Sequence, residues 1–198
     1  MECPNQMPRG QTIPDARAAL FDAADRILAS QGPDGITSRA ITDEAGVAKG
    51  VLHNHFRDLN EFLASYAVER IAAAFTRTES FLAYAGKRNV IDNLTDAATD
   101  LFGSGALAVS ALMTARPAVF ARVQEILNHN GEGLDRLERS FAAYLHAEKA
   151  VGRLPDDADS RMLAFHLIAS IHHLFYVTGQ QPLQRREVRR IVASLLRP

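Results

Sequence analysis

The sequence has a single cysteine, no tryptophan and no apolar run long enough to cross a bilayer. One thiol closes no intrachain disulfide and builds no thiolate metal site, so Cys3 points to a reducing compartment, and the cytoplasm is the expected location. The longest weakly polar stretches, residues 106–113 and 162–171, fall short of the roughly 20 residues that a spanning helix needs. The opening MECPNQMPRGQTIP has no apolar run behind a basic start, so neither a signal peptide nor a membrane anchor is expected. Catalytic signatures are equally scarce. There is no Gly-rich phosphate loop, no Ser nucleophile motif, no carboxylate-histidine repeat for a di-iron site and no cysteine pair. The neighbouring acids Asp156, Asp157 and Asp159 stand at a helix start, where capping and the helix dipole account for them. No enzymatic activity and no cofactor are expected, and a helical-bundle enzyme stands only as the alternative.

Strands are missing as well, since no stretch alternates like a half-buried strand. What remains is helix. The 198 residues, 47% hydrophobic and 23% charged, suffice for one sizeable core or for a small module joined to a larger one. Glycine and proline gather at breaks: Gly32 to Gly35, Gly103 to Gly105, Arg116-Pro117, Gly131 to Gly133, Gly152 to Pro155 and Gly179 to Pro182. Between them the apolar residues recur at helical spacing. Residues 15–31 set Ala16, Leu20, Ala23, Ala24, Ile27 and Leu28 on one face of a helix ended by Gly32. The expected class is all-α with about nine helices, a three-helix helix-turn-helix module followed by a C-terminal bundle.

Residues 36–62, ITSRAITDEAGVAKGVLHNHFRDLNEF, are the most informative. Thr37 or Ser38 can cap a short helix running to about Ala45, Gly46 can make the turn, and a second short helix follows over about residues 48–56. At about 100° per residue, Leu52 and Phe56 point inward with Val47, while Gly50, Val51 and Asn54 point away. Lys49, His53 and His55 fall on the flanks. A helix that reads DNA needs this division, because its outermost side chains meet base edges and its flanking donors meet phosphates. Asn54 can pair bidentately with adenine, Val51 can touch a thymine methyl, and Gly50 allows close backbone approach.

The run AGVAKGVLHNHFRDLNEFL resembles the helix-turn-helix of TetR/AcrR-family transcriptional regulators, with turn, Lys-Gly pair, inward Leu and terminal His-Phe in register. The resemblance is close over residues 14–74 and looser beyond. It implies a DNA-binding domain over residues 14–74, with the helix-turn-helix at about 37–56, and a ligand-sensing and dimerisation domain over residues 75–198. It also implies a homodimeric repressor on a palindromic operator, with Thr37, Ser38, Arg39, Lys49, Gly50, Val51, His53, Asn54 and His55 as the DNA-binding set. Three positions depart from the family pattern. Ala48 stands where a capping Ser or Thr is usual, at a cost of roughly 1 kcal/mol of local stability. His53 replaces a Tyr, so a phosphate contact there comes from an imidazole, and Leu59 replaces a phosphate-contacting Lys. The charge is also unusual: residues 1–66 hold six Lys and Arg against nine Asp and Glu, where a basic domain is the common footprint of nucleic-acid binding. Local geometry has to supply the positive surface.

Asp58, with Glu61 three residues on, reads as a capping box opening a long helix. Leu59, Phe62, Leu63, Tyr66, Ile71, Ala74, Phe75, Phe81 and Leu82 keep it buried on one side, and it is the expected lever between the domains. Val188, Ile191, Val192, Leu195 and Leu196 form one stripe of the last helix, with Arg185, Arg186, Arg189 and Arg190 on a solvated face. The preceding helix, over residues 157–178, is apolar nearly all round and has to be covered on more than one side. The expected homodimer packs through these last two helices, and charges at Ile168 and Leu195 are expected to split it. His166 and His173 share a face of that helix, but two imidazoles without a third ligand make a metal-responsive sensor only the alternative, and no metal is expected. The effector is an unidentified small molecule, mainly apolar or aromatic, whose candidate contacts are Phe81, Tyr84, Phe102, Leu112, Met113, Phe120, Met162, Phe165 and His166. Whether the protein represses or activates depends on operator position, which the sequence does not carry.

Overall fold

The computed structural model describes residues 15–130, 134–179 and 183–197. Cys3, the Gly131 to Gly133 break and residues 180–182 lie outside them. The described residues hold ten α-helices, one more than expected, and no strand. The contacts divide the chain into two compact units that meet between Phe62 and Leu63, inside α4; the expected domain boundary, at residue 74, lies further along the same helix.

In the first unit, α1 (Ala16–Gln31) starts where the Asp15 carboxylate accepts the Ala18 amide at 2.9 Å and ends at Gly32, whose φ is 70°. Its buried face carries Leu20, Phe21, Ala23, Ala24, Ile27 and Leu28. A 3-10 turn (Pro33–Gly35) leads to α2 (Ser38–Glu44), α3 (Val51–His55) and the first residues of α4 (Leu59–Glu79). Three rings lock the module: Phe21 lies 5.4 Å from Phe62 and 6.0 Å from Phe56, and Phe56 meets Phe62 edge-on at 5.1 Å. Edge-to-face and tilted pairs of this kind add to the stabilisation from area burial alone. The Arg17 guanidinium covers the Phe21 and Phe56 rings from outside, at 5.1 and 5.6 Å.

The second unit comprises the rest of α4, α5 (Val90–Leu101), α6 (Ser104–Ala115), α7 (Pro117–Asn130), α8 (Leu134–Ala150), α9 (Ser160–Val177) and α10 (Arg185–Leu195). Three expectations shift here. α4 ends at Glu79, so Phe81 and Leu82 sit in a separate 3-10 turn (Ser80–Tyr84). α9 begins at Ser160, because Asp159 takes the Arg161 and Met162 amides at 3.0 and 3.1 Å and so fixes the N-terminus three residues later than the expected residue 157. Ile168 faces the chain's own core, 8% exposed, and does not belong to the outer side of α9.

The tightest packing joins α8 to α9 and α5 to α10. Val188 and Val192 are buried there, while Ile191, Leu195 and Leu196 pack at the edge of the core. Part of the arginine face of α10 is held by acids of α5: Arg185 meets Asp96 at 2.8 Å and Asp92 at 3.5 Å, and Arg189 also pairs with Asp92. The Asp96 carboxylate raises the Arg185 pKa further still. Arg186 and Arg190 are exposed, as a solvated face requires. A buried polar chain crosses the unit as well. Asn93 donates to the Tyr144 hydroxyl at 2.8 Å, Tyr144 donates to the fully buried Glu148, and Arg153 neutralises Glu148 at 3.3 Å. Burial and the Glu148 carboxylate push the Tyr144 phenol pKa up, so it stays a donor.

Candidate nucleic-acid interface

α2 owes its start to Thr37, whose hydroxyl oxygen accepts the Ala40 amide at 3.1 Å. Its end is a Schellman motif: Val47 N–H bonds the Thr42 carbonyl at 3.0 Å and Gly46 N–H bonds that of Asp43 at 3.2 Å. Gly46 reaches this geometry at φ 68°, a region that favours glycine. The chain then turns through Ala48 and Lys49 into α3, which starts at Val51, three residues later than expected. Its N-cap is Gly50, two residues past the alanine at position 48, and no side chain caps it. Its first turn instead closes through the Val51 amide on the Ala48 carbonyl at 2.9 Å.

Leu52 is fully buried and Phe56 nearly so, and they fix the rotation of α3 about its axis. Around the rest of the helix Lys49, Gly50, His53, Asn54 and His55 are exposed and Val51 is half-buried. Thr37 and Arg39 are exposed at the start of α2, with Ser38 half-buried beside them. Lys49 makes no ion pair among the described residues. Gly50 has helical dihedrals, φ −75° and ψ −16°, and a Cβ added to it would meet nothing within 4 Å. Neither backbone strain nor crowding inside the fold calls for a glycine there.

Three acids of the module, Asp43, Glu44 and Asp58, are countered in place. Arg39 reaches Asp43 at 3.4 Å, and Arg26 bridges from α1 to the Glu44 carboxylate at 2.5 Å and to its backbone carbonyl at 3.3 Å. At the head of α4, Asp58 accepts the Glu61 amide at 2.9 Å, while the Glu61 carboxylate takes the Arg57 amide at 2.7 Å. This is the expected capping box with its return bond one residue earlier. The Glu61 amide, followed by Arg57, holds the Asp58 pKa below the usual carboxylate value. These exposed pairs contribute little stability, but they leave Lys49 as the uncommitted cation beside α3.

The nine candidate effector contacts do not converge on one cavity. Phe81 is buried against Phe141 and Tyr144, and Tyr84, exposed, follows it in the 3-10 turn. Phe102 is buried beside Phe175 and His172, Leu112 is buried in α6, and Met113 is half-buried. Phe120 is exposed on α7, and Met162, Phe165 and His166 are exposed on α9. Phe81 and Tyr84 border an open cavity of about 390 Å³ whose other walls are mostly charged or polar: Arg77, Ser80, Arg88, Asn93, Asp96, Ala97, Thr99, Asp100 and Arg185. A second space, among Leu94, Leu145, Leu163 and Leu167, measures about 10 Å³, room for a single water at most. The acids and arginines of the larger cavity carried no sequence signal, because α4, α5 and α10 come together there only in the fold. His173 is exposed on α9 like His166, and no group of three or more metal-ligating side chains occurs among the described residues.

Residues 20–66 match the model of the bacterial regulatory proteins of the tetR family. Solved structures share the fold over nearly the whole chain. A TetR-family transcriptional regulator from Mesorhizobium loti superposes with a TM-score of 0.72 at 18% identity, over 94% of this chain and 96% of that one. The regulator FadR from Bacillus subtilis, in complex with stearoyl-CoA, gives 0.64 at 17% identity over 90% and 97%. A transcriptional regulator from Saccharomonospora viridis, in complex with choline, gives 0.65 at 19% identity over 91% and 94%. No curated protein matches the chain in sequence.

Proposed function

We propose that this chain, a DNA-binding regulator with the TetR-family fold and the tetR-family module at residues 20–66, acts as a homodimeric, cytoplasmic repressor that a small molecule releases from a palindromic operator. The observation that carries the reading is the surface of α3, where Lys49, Gly50, His53, Asn54 and His55 are exposed while Leu52 and Phe56 pin the helix. Asn54 and Val51 are assigned to base edges, and Gly50 to close approach. Lys49, His53 and His55 are assigned to phosphates, joined by Thr37, Ser38 and Arg39 from the start of α2.

Dimerisation is assigned to α9 with α10. Met162, Phe165, Ala169, Tyr176 and Val177 are exposed at spacings of three, four and seven or eight residues along α9, beside the exposed His166 and His173, a largely apolar stripe that an isolated chain would leave in water. A twofold mate covers it, and the two copies of α3 are then assigned one to each half-site of the operator. For the effector, the ligands bound by the Bacillus subtilis and Saccharomonospora viridis proteins favour a small molecule in the second unit. Its binding is coupled to α4, which runs unbroken from Leu59 to Glu79. By linkage, the effector weakens DNA binding by the same factor by which DNA weakens effector binding.

The test is binding of a selected duplex by the parent and two variants. Asn54→Ala is expected to lose roughly 1 to 3 kcal/mol of discrimination between bases, whereas Lys49→Ala weakens every sequence alike and flattens the salt dependence. Equal loss of specificity in both variants contradicts the assignment. A reporter with the selected site moved across a promoter separates repression from activation.

A further inference from the structure

An unmet hydrogen-bonding demand lies behind the wall of the cavity between the end of α4, α5 and α10. Asn93, 2% exposed, borders it. Its Nδ2 donates to the Lys87 carbonyl at 3.1 Å, to the Tyr84 carbonyl at 3.4 Å and to the Tyr144 hydroxyl. Two carbonyls accept only from a donor, so the amide orientation is set, and the remaining atom, Oδ1, is left buried without a partner. Buried acceptors are almost always satisfied, by protein, water or ligand.

The charges around the same cavity are uneven. Asp96 is shared by Arg88, at 3.0 Å, and Arg185. Arg77, in the last turn of α4, and Asp100, on α5, make no side-chain pair among the described residues. An occupant therefore meets one uncommitted guanidinium, which calls for an anion, and one uncommitted acceptor, the Asp100 carboxylate, which calls for an N–H or O–H donor. Phe81 and Tyr84 supply an apolar side, and about 390 Å³ is within the range of small-molecule sites.

The geometry points to this cavity as the effector site, and to the effector as a small hydrophilic carboxylic acid bearing hydroxyl or amino groups. This departs from the apolar effector that the aromatic and methionine content suggests, and it rests on the reading of the chain as a ligand-responsive regulator. A carboxylate held by Arg77 pulls on the C-terminal end of α4, and a neighbouring contact to Arg185 engages the first turn of α10. One ligand thus touches both the helix that enters the DNA-binding module and a helix assigned to the dimer.

Calorimetric titration of the full chain, free of DNA, tests the assignment. The probes are L-tartrate and L-glutamine, with hexanoate (an anion without donors) and putrescine (donors without an anion) as counter-probes. At least one of the two donor-bearing acids is expected to bind one per chain. Arg77→Gln and Asp100→Asn, both at the exposed rim, are expected to weaken it by about tenfold each, the loss of one charge-assisted hydrogen bond, with unliganded melting temperatures unchanged. The assignment is overturned if neither acid binds, if hexanoate or putrescine binds as well as they do, or if binding ignores both substitutions. Because no DNA is present, failure here leaves the operator reading standing, and failure of operator binding leaves this result standing.

Discussion

Gly46 and Gly50, four residues apart, are glycines for different reasons. Gly46 ends α2 at φ 68° and closes its Schellman motif, so a side chain there strains the backbone. Gly50 already has helical dihedrals and open space around it, so the fold does not require the absence of a side chain there, and close approach of DNA is the role proposed for it. Gly50→Ala is accordingly expected to stay within about 1 kcal/mol of the parent in stability while losing DNA affinity, and Gly46→Ala to lower the melting temperature. Parallel denaturation and duplex-binding curves check both. A second residue carries a pH signature. His172 lies between the Phe102 and Tyr176 rings, 6.2 and 4.8 Å away, and burial pushes its pKa below the usual histidine value. With the folded pKa depressed, the unfolded chain binds the proton more readily, so stability falls as pH drops below the unfolded value of about 6.5. Melting temperatures measured from pH 7 to about 5 are expected to fall less steeply in His172→Phe than in the parent; identical slopes contradict the assignment.

At the scale of elements, α9 separates two faces that composition alone blurs. Ala164, Leu167, Ile168, Ile171 and Phe175 are buried in the chain's own core, while Met162, Phe165, Tyr176 and Val177 lie outside. A charge at Ile168, where the sequence suggested an interface, is expected to unfold the unit. Phe165→Glu with Tyr176→Glu is expected to leave the helix content intact and give a monomer, as light scattering and circular dichroism together can show; a doubly substituted chain that remains a dimer refutes the α9 interface. This is also where legibility in the sequence stops. The apolar periods of α1 and α10, the Thr37 cap, the Gly46 turn and the inward pair Leu52 and Phe56 are local patterns, and each appears in the fold at its expected place. Phe21 was missing from the expected face of α1, although it anchors the ring cluster with Phe56 and Phe62, because its partners come from other helices. The Asn93, Tyr144, Glu148 and Arg153 chain and the charged cavity carry no sequence signal for the same reason: their members are drawn from distant parts of the chain, the cavity's from Arg77 to Arg185, and no period or spacing links them.

For the whole molecule, the N-terminal unit is acidic by composition, yet α3 exposes Lys49, His53, Asn54 and His55, the surface proposed to read DNA. The ion pairs of Arg26 with Glu44, Arg39 with Asp43 and Arg57 with Asp58 resolve part of that conflict by neutralising acids within the module. The remaining attraction to phosphate is expected to come from a few groups on each of two protomers, so affinity falls with salt along a moderate slope set by that small number of contacts. The most direct measurement is selection of randomised duplex DNA by the purified full chain, followed by binding of the enriched duplex at several salt concentrations. The account predicts enrichment of an inverted repeat with half-sites about one helical turn apart, bound by two chains, with base preference relaxed in Asn54→Ala. Recovery of no common sequence, or of a single unpaired half-site bound by one chain, would contradict it.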